Sequence, residues 1–381
     1  MNDIYLDSRR IKKNDLFISL RGINDDGIFH IQEVIKKGGK LLYSDNFGYN
    51  YLPNLKKNLN KILLNHYKVN FSFKIIGITG TNGKTSLSYL LTKALNKYGY
   101  RAKCISTIKD VDTYYSSLTT PRNDDLIRIL KKAEIENLDF LIMEVSSIGY
   151  KEGRVNDIPF DLGVLTSLES DHLDYHKSLF NYHYSKIEFI EKCKKNIVGI
   201  NKNKLEILNE VLSNYLKKGE INEFLSNIPQ VPGREEIISR NPLIIVDYAH
   251  TSSSLEYVLS KYRNKTRGKL ISILGAGGNR DKTKRKEYGK IANNYSDIVI
   301  LTNDNPRYEN PIDIIDNIKL KTEKELIIID RDDAIKKGIE LLSKDDTLLI
   351  LGKGDENYIE INGKRIPFKD KEIVLNHLNK K

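Results

Sequence analysis

A glycine-rich turn, Gly80-Thr81-Asn82-Gly83-Lys84-Thr85-Ser86, carries the clearest chemistry in this sequence. It fits G-x-x-G-K-T and is shorter than the full G-x-x-x-x-G-K-[ST], because the first glycine of the longer pattern falls on Ile78. Such a turn directs backbone N–H groups and the positive end of a helix at one point, where a polyphosphate can bind. We expect Lys84 to reach the β- and γ-phosphates and the Thr85 hydroxyl to bind Mg²⁺. The turn therefore predicts a site for ATP and Mg²⁺.

Polar residues follow two other apolar segments. Glu144 lies at the end of an apolar run at residues 140–145, and His172 follows another at residues 162–166. Ligands of doubly wound sheets gather at the carboxyl ends of parallel strands. With Thr85, these two residues could supply oxygen and imidazole ligands to Mg²⁺ near the phosphates.

Three more strand ends carry charged residues further along the chain. Arg280 lies in the glycine-rich segment 275–282, Arg307 in the segment 302–307, and Glu356 in the segment 352–356. Arginine pairs well with carboxylate, and glutamate pairs with ammonium. This set predicts binding of a zwitterion.

The elements that must position these residues can be read from periodicity. Ile75, Ile76 and Ile78 predict a buried parallel strand before the turn, and a helical pattern from Leu87 to Tyr98 follows it, with Gly99 as its C′ residue. Further strands are predicted at residues 140–145, 162–166, 197–200, 243–246, 270–274, 298–301, 326–329 and 347–351. Alternation with helices predicts an α/β fold with doubly wound parallel sheets.

Three regions are expected in a chain of 381 residues. Residues 1–73 predict a small α/β domain, with strands at 15–20 and 41–43 and a helix at 27–37. Residues 74–231 predict the central domain with the phosphate-binding turn. Residues 232–381 predict a Rossmann-like domain that is closed by a hairpin with its turn at Asn362-Gly363.

Composition limits the compartment and the partners. No apolar run approaches the 18 or so residues that a membrane helix needs, and only two cysteines occur, without metal-binding spacing. These features predict a cytoplasmic protein that needs no membrane. The net charge of +11 is spread along the chain. It is compatible with nucleic-acid binding, but a lysine-rich bias or a polyanionic small substrate explains it as well.

Six motifs in this order resemble those of the Mur ligases, from Asp7 to Glu356. The resemblance is closest to the members that add the third amino acid to UDP-N-acetylmuramoyl-L-alanyl-D-glutamate. The motifs are residues 78–85, 143–147, 171–176, 232–234, 247–251 and 304–307.

The resemblance implies a three-domain enzyme in which ATP phosphorylates a substrate carboxylate and an amino group attacks the acyl phosphate. It implies a monomer that binds no nucleic acid and serves peptidoglycan precursor synthesis. Lys84, Glu144, His172 and Lys186 are the implied catalytic residues. Mg²⁺ ligands would be Thr85, Glu144, His172 and, if carbamylated, Lys186.

Substrate positions are also implied by the resemblance. The phosphate turn, Asp247 and Arg280 would bind ATP. The UDP-muramoyl peptide would contact Ser8, Thr119, Thr120, Ser146, Glu152 and Arg154. The incoming amino acid would contact Arg280, Asp304, Asn305, Arg307, Gly352 and Glu356. The Asp-Asn-Pro-Arg form of residues 304–307 resembles the members that add meso-diaminopimelate.

Several departures from the family pattern bear on the substrate. Ile148 and Asp355 replace usual histidines, Glu152 replaces a usual glutamine, and only 45 residues separate Lys186 from Pro232, where typical members carry a longer stretch. The N-terminal domain is also abbreviated. Three hypotheses stay open: a ligase for UDP-muramoyl-dipeptide, a Mur-like ligase for a different carboxylate, and a non-catalytic or nucleic-acid-binding relative.

Overall fold

The computed structural model describes residues 2–22 and 25–379. The chain divides into two compact units, the first ending at Asn227 and the second beginning at Ile228. Within the described ranges, no helix has the length and apolar character needed to cross a membrane.

The first unit begins with a small parallel sheet that carries Ser8 just after its first strand. Its strands pair in the order β1-β2-β3, which agrees with the predicted α/β character of this region. The elements are β1 (Ile4–Tyr5), β2 (Leu16–Ser19), α1 (Ile31–Lys36), β3 (Lys40–Ser44) and α2 (Leu55–Tyr67). The predicted helix at 27–37 divides into a 3-10 turn, Gly27–His30, and α1.

A six-stranded sheet that is parallel throughout forms the rest of the first unit. Its order is β6-β5-β7-β4-β8-β9, so the strand before the phosphate-binding turn lies inside the sheet. The strands are β4 (Lys74–Thr79), β5 (Ala102–Ser106), β6 (Thr113–Tyr115), β7 (Phe140–Glu144), β8 (Leu162–Leu165) and β9 (Asn196–Val198). The helices are α3 (Lys84–Lys97), α4 (Asn123–Ile135), α5 (Ser147–Lys151), α6 (Leu173–His176), α7 (Leu179–Glu191), α8 (Lys204–Leu212) and α9 (Lys218–Ser226).

Close packing explains why β4 has its sequence. Ile75, Ile76 and Ile78 are fully buried, as expected for an inner parallel strand. A Cβ on Gly77 would lie 2.4 Å from the ring of Phe189, so only glycine fits there. Helix α3 ends as predicted, with Gly99 in the left-handed region at φ +91°.

The second unit contains the other six-stranded sheet, in the order β10-β11-β15-β12-β13-β14. Strand β10 pairs antiparallel with β11 and the other pairs are parallel. The strands are β10 (Glu236–Arg240), β11 (Leu243–Asp247), β12 (Leu270–Leu274), β13 (Ile298–Leu301), β14 (Glu325–Ile327) and β15 (Thr347–Leu351), followed by a hairpin of β16 (Tyr358–Ile361) and β17 (Lys364–Pro367). The helices are α10 (Ser252–Arg263), α11 (Arg285–Tyr295), α12 (Pro311–Ile318), α13 (Arg331–Glu340) and α14 (Asp370–Leu378).

Both faces of this second sheet are buried. Along β15, Leu349 and Leu351 join an apolar cluster with α10, α11 and α12, whereas Leu348 and Ile350 join a cluster with α13 and α14. This alternation follows from the two-residue period of a strand. It explains why the strand reads as a continuous apolar run.

The structure corrects the expectation that a hairpin closes the chain. The hairpin at Asn362-Gly363 is present, but α14 follows it and packs against the sheet with Val374 fully buried. Strand β10 was not predicted either, because it is an antiparallel addition to the edge of an otherwise parallel sheet.

Candidate active site

The phosphate-binding turn joins β4 to α3 in a conformation that requires its glycines. Gly80 and Gly83 have φ values of +144° and +85°. A Cβ on Gly80 would lie 1.9 Å from Thr166 Oγ1, so the turn packs directly against the end of β8. Thr166 Oγ1 donates a hydrogen bond to Asn82 O at 2.6 Å, and Ser167 Oγ accepts one from Asn82 N at 3.0 Å. These two side chains fix the turn, and the sequence analysis did not single them out.

Lys84 and Thr85 lie at the first turn of α3, where the prediction places them. Lys84 Nζ donates to Gly80 O at 2.8 Å and to Thr81 O at 2.9 Å, so the ammonium folds back over its own turn. Thr85 Oγ1 donates to Glu144 Oε2 at 2.9 Å. This contact is possible because β4 and β7 are neighbours and both end at this edge. The structure thus brings Thr85 and Glu144 together as two adjacent oxygen donors.

Lys186 of α7 is a buried amine at the same edge. Its side chain is among the largest fully buried ones, and its Nζ donates to Thr81 Oγ1 at 2.9 Å. The Nζ also lies 3.4 Å from the centre of the Tyr182 ring. Burial, and secondly the positive charge of Lys84, lower the pKa of Lys186 to about 6. The amine is therefore largely neutral at pH 7.5.

His172 lies close to this group but is more exposed. It adopts a left-handed conformation with φ +50° just before α6, and its ring centre is 6.1 Å from that of Tyr182. Within the described ranges no cluster of three or more His, Cys, Asp or Glu side chains has the spacing to hold a metal ion. The four-residue Mg²⁺ set of Thr85, Glu144, His172 and Lys186 stays a prediction.

Four of the residues implied for the UDP-muramoyl peptide form one cluster beside Glu144. Thr120 Oγ1 donates to Glu144 O at 3.1 Å and accepts from Ser146 N at 2.8 Å. Arg154 donates to Thr120 O at 2.7 Å and, through Nε, to Glu152 at 2.9 Å. Thr119 precedes Thr120 and is half-buried.

Ser8 belongs to a neighbouring part of the same unit. Ser8 Oγ donates to Glu33 at 3.4 Å, and Ser8 O accepts from Lys37 Nζ at 3.0 Å. Arg122 reaches the preceding Asp7 at 3.6 Å, which links this segment to the loop that carries Thr120. A hydrogen bond from Arg9 is the main cause that lowers the pKa of Asp7 to about 2.

In the second unit, residues implied for the amino acid meet at the carboxyl ends of β13 and β15. Asn305 Nδ2 donates to Glu356 Oε2 at 2.8 Å. Lys353, which is fully buried, reaches Glu356 at 3.0 Å and Asn305 Oδ1 at 3.3 Å. A Cβ on Gly352 would lie 2.8 Å from Asp304 Oδ2, so Asp304 belongs to the same group. Lys353 was quoted in a motif but given no role from sequence.

The two arginines of the predicted pocket lie around Gly277. A Cβ on Gly277 would be 2.9 Å from Arg307 Nη1 and 3.6 Å from Arg280 Cγ. Arg307 donates to Gly278 O at 2.7 Å and has φ +52°, whereas Arg280 is exposed. Both arginine side chains therefore lie beside Gly277, and the amino-acid pocket that they are expected to form stays a prediction.

Asp247, implied for ATP, is buried at the end of β11. Its carboxylate accepts hydrogen bonds from Glu235 N at 2.6 Å and Ala249 N at 2.7 Å, and burial raises its pKa. Arg234, the residue before Glu235, stacks on Tyr248 with its guanidinium carbon 4.0 Å from the ring centre. It also pairs with Asp355 at 2.8 Å. Asp355, one of the departures from the family pattern, therefore has a defined ionic partner.

Comparison with known families gives matches to both units. Residues 78–224 match the model of the Mur ligase middle domain, and residues 233–354 match the model of the Mur ligase glutamate ligase domain. These two ranges make up more than half of the chain. The chain belongs to the Mur ligase family.

Similar sequences extend the match to almost the whole of this Mur ligase. The UDP-N-acetylmuramoyl-L-alanyl-D-glutamate–2,6-diaminopimelate ligase of Clostridium tetani is 32% identical to it and covers 98% of this chain and 94% of its own length. The protein of the same name from Fusobacterium nucleatum is 33% identical, with 97% and 92% covered. The first alignment runs over 455 positions, so the relative carries internal residues that this 381-residue chain lacks.

Solved structures confirm the predicted fold class. A UDP-N-acetylmuramoyl-L-alanyl-D-glutamate–2,6-diaminopimelate ligase has a TM-score of 0.63 at 24% identity, covering 100% of this chain and 95% of the other. A MurF ligase from Thermotoga maritima, in complex with ADP, has a TM-score of 0.66 at 15% identity, covering 100% and 97%. The three-domain Mur architecture and the ATP-dependent, amide-forming ligase activity expected from the sequence are confirmed. The individual roles of the site residues stay predictions.

Proposed function

We propose that this Mur ligase joins meso-diaminopimelate to the D-glutamyl carboxylate of UDP-N-acetylmuramoyl-L-alanyl-D-glutamate, in peptidoglycan precursor synthesis. The observation that carries the proposal is a continuous chain of hydrogen bonds at one edge of the central sheet. It runs from Thr85 through Glu144 and Thr120 to Arg154. The residues implied for ATP therefore adjoin those implied for the carboxylate that ATP must phosphorylate.

Two chemical steps account for the reaction. The acceptor carboxylate oxygen attacks the γ-phosphorus, and the bond to the β-γ bridging oxygen breaks to release ADP. The neutral amino group of diaminopimelate then attacks the acyl carbon. The tetrahedral intermediate loses a proton from nitrogen and expels phosphate, which leaves the amide.

Lys84 is the proposed electrostatic partner of the transferring phosphoryl group. Its ammonium donates hydrogen bonds to the carbonyl oxygens of Gly80 and Thr81 and so lies over the turn. Negatively charged phosphate oxygens are stronger acceptors for an ammonium than neutral carbonyls. Lys84 can therefore turn from its own backbone to the β- and γ-phosphates and stabilise the charge of the transition state.

The donor set at this edge fits Mg²⁺. Thr85 Oγ1 and Glu144 Oε2 lie 2.9 Å apart, and both are oxygen atoms, the ligand type that Mg²⁺ prefers. We propose that these residues hold the ion, with His172 as a further ligand. A bound Mg²⁺ would supply charge neutralisation to the phosphate oxygens.

The proposed role of Lys186 depends on its neutral amine. Only an unprotonated amine can add to CO₂ to form a carbamate, and the pKa of about 6 leaves most of Lys186 in that form at pH 7.5. The carbamate would replace a buried amine by an anionic oxygen donor beside Thr81. This supports Lys186 as the carbamylated residue that assists a metal ion.

The second unit is proposed to select the amino acid. Arg307 is the proposed partner of the distal carboxylate of diaminopimelate, because a guanidinium group pairs well with a carboxylate. Glu356 is the proposed partner of its ammonium group, because a carboxylate pairs with an ammonium. Arg280 would contact amino acid and ATP.

The proposed domain boundaries stay at residues 73/74 and 231/232, and we propose a cytoplasmic monomer.

One observation favours a second candidate function, a Mur-like ligase for a different carboxylate. The alignment with the Clostridium tetani ligase is longer than this chain, so internal residues that could shape the acceptor site are missing. This candidate keeps the ATP chemistry and changes only the acceptor.

Phosphate release from ATP in the presence of Mg²⁺ tests both candidates. UDP-N-acetylmuramoyl-L-alanyl-D-glutamate would be combined in turn with meso-diaminopimelate, L-lysine and L-ornithine, and the product mass measured. Turnover with meso-diaminopimelate, and far less with the other two, is the expected result. Failure of every amino acid with this acceptor, but turnover with another carboxylate, would establish the second candidate instead.

A further inference from the structure

Arg285 is a buried arginine to which the sequence analysis gave no function. It begins α11, and its side chain is 1% exposed. Nη1 and Nη2 each donate to a different oxygen of Glu309 at 2.9 Å, and Nη2 also reaches Gly277 O at 3.2 Å. This paired geometry fixes the relative orientation of the two side chains.

Glu309 connects the two loops that carry the pocket arginines. It belongs to the 302–309 loop after β13, and its carboxylate accepts from Asn279 N at 2.5 Å and Lys282 Nζ at 3.2 Å in the 275–282 loop. The pKa of Glu309 is lowered to about 2, mainly by its hydrogen bonds with Arg285. The carboxylate therefore stays ionised throughout the range in which the enzyme can be assayed.

Backbone contacts complete the connection between these loops. Gly278 N donates to Asn305 O at 2.9 Å, and Tyr308 N donates to Asn279 Oδ1 at 3.1 Å. A Cβ on Gly278 would lie 1.9 Å from Pro306 O, so the two backbones are in direct contact. The two loops are therefore joined by backbone contacts as well as through Glu309.

Strained backbone at two positions shows that the arrangement needs support. Asn279 and Arg307 have φ values of +53° and +52°, in the left-handed region that costs a non-glycine residue free energy. Asn279 is bonded by Glu309 through its N–H, and Arg307 lies two residues before Glu309. The Arg285–Glu309 pair is placed to hold Asn279 in this conformation, whereas the backbone of Arg307 is bonded to Glu360 and Asn362.

We propose that Arg285 and Glu309 are positioning residues that set the separation of the Arg280 and Arg307 guanidinium groups in the amino-acid pocket. This rests on the proposed function, because it assigns these arginines to the amino acid. Neither positioning residue is required to touch substrate. Loss of the pair would let the two loops separate, and the amino acid would lose one of two simultaneous contacts.

Glu309→Gln and Arg285→Lys test the proposal, with Asp297→Asn as a matched control. Asp297 also pairs with an arginine, Arg263, at 2.6 Å and accepts from Leu270 N, but it precedes β13 and so lies at the opposite edge of the sheet. We expect Glu309→Gln to raise KM for meso-diaminopimelate about tenfold, as supporting residues of binding groups do. The KM for the UDP-substrate should stay within about twofold, as for Asp297→Asn.

Amide hydrogen exchange gives a readout that does not depend on activity. Peptides from the 275–282 loop should exchange faster in Glu309→Gln, whereas those from β12 and the melting temperature should match the control. Equal KM for the amino acid in Glu309→Gln and Asp297→Asn, with unchanged exchange, would overturn the proposal. An inactive wild-type enzyme would contradict the proposed function, and loop exchange would then decide the structural part alone.

Discussion

The two six-stranded sheets carry their functional residues at equivalent edges but hold them in different ways. At the edge of the central sheet, Glu144 and Lys186 are buried and bond directly to residues of the phosphate-binding turn. At the edge of the second sheet, Arg280 is exposed, and the loops that carry it and Arg307 are held by contacts behind them. Under the proposed function, the first arrangement fixes groups that take part in the chemistry, and the second fixes the pocket for the amino acid.

This difference predicts which kinetic constant each region controls. Removal of a group that is pre-organised around the transferring phosphoryl group should lower kcat, because the interactions of that group strengthen in the transition state. Groups that bind the amino acid should mainly raise its KM. A substitution at the central edge that mainly raised KM for the amino acid, or one in the second unit that mainly lowered kcat, would contradict this difference.

Lys84→Ala should have the largest effect, a loss of kcat of about 10³-fold or more. Removal of the ammonium leaves the phosphoryl charge unsupported, and the turn itself is fixed by Thr166 and Ser167. Phosphate release measures the loss, and circular dichroism with a melting curve measures the fold.

Lys97→Ala is the matched control for Lys84→Ala. Lys97 ends the same helix and pairs at the surface with Glu223 at 2.7 Å. It should leave turnover and folding almost unchanged. Substantial turnover by Lys84→Ala would show that the turn does not bind the reacting phosphates through this lysine.

Lys186→Arg should lower kcat about 100-fold and remove any response to bicarbonate. Arginine stays protonated at every assay pH and cannot form a carbamate. In the wild type, bicarbonate should stimulate activity at pH 7.5 and do so less as pH falls below 6, because the amine becomes protonated near its pKa of about 6. Bicarbonate titrations at several pH values, at saturating ATP, make the measurement. An equal bicarbonate response in both proteins would exclude carbamylation of Lys186.

At the central edge, the sequence predicted the strand, the turn and the helix better than it predicted the contacts that support them. Strand β4, the phosphate-binding turn and α3 follow from a strong local pattern, and the contact of Thr85 with Glu144 follows from neighbouring parallel strands. Thr166 could not be found in this way, because it is an ordinary threonine whose role depends on its distance from Gly80 in space. Lys186 looks like a surface lysine until the fold buries it, and only the family resemblance indicated it.

In the second unit, sequence reasoning identified the loops but not their connection. Arg280, Arg307 and Glu356 are visible as charged residues after strands. Arg285 and Glu309 lie 24 residues apart on a helix start and a loop, and nothing local pairs them. Helix α14 was missed because its sequence is rich in charged residues, and its packing is set by tertiary contacts of Val374. Non-local pairing therefore accounts for most of what was missed.

Arg307→Ala should raise KM for meso-diaminopimelate about tenfold to a hundredfold, the range for loss of a hydrogen bond to a charged group. KM for ATP and kcat at saturation should change far less, because the central edge is untouched. Arg365→Ala, an exposed arginine of β17, serves as a control for loss of one positive charge. Initial rates with each substrate varied in turn measure the constants. An equal rise in KM for ATP would remove Arg307 from the amino-acid pocket.

The smallest expected effect concerns stability at the central edge. His176 is buried, shares a hydrogen bond of 3.0 Å with Ser147 Oγ, and has its pKa lowered, first by burial and then by the charge of His172. His176→Gln should cost about 1 kcal/mol of unfolding free energy at pH 8, a shift in melting temperature of about 2–4 °C. Because the fold favours the neutral imidazole, the wild type has its full contribution above pH 6.5 and loses it as pH falls below 6.5. Glutamine does not titrate, so the difference between the two proteins should shrink from pH 8 to pH 5.5 in melting curves. A difference that grew toward low pH would mean that the fold stabilises the imidazolium, and the buried, neutral environment inferred for this edge would be wrong.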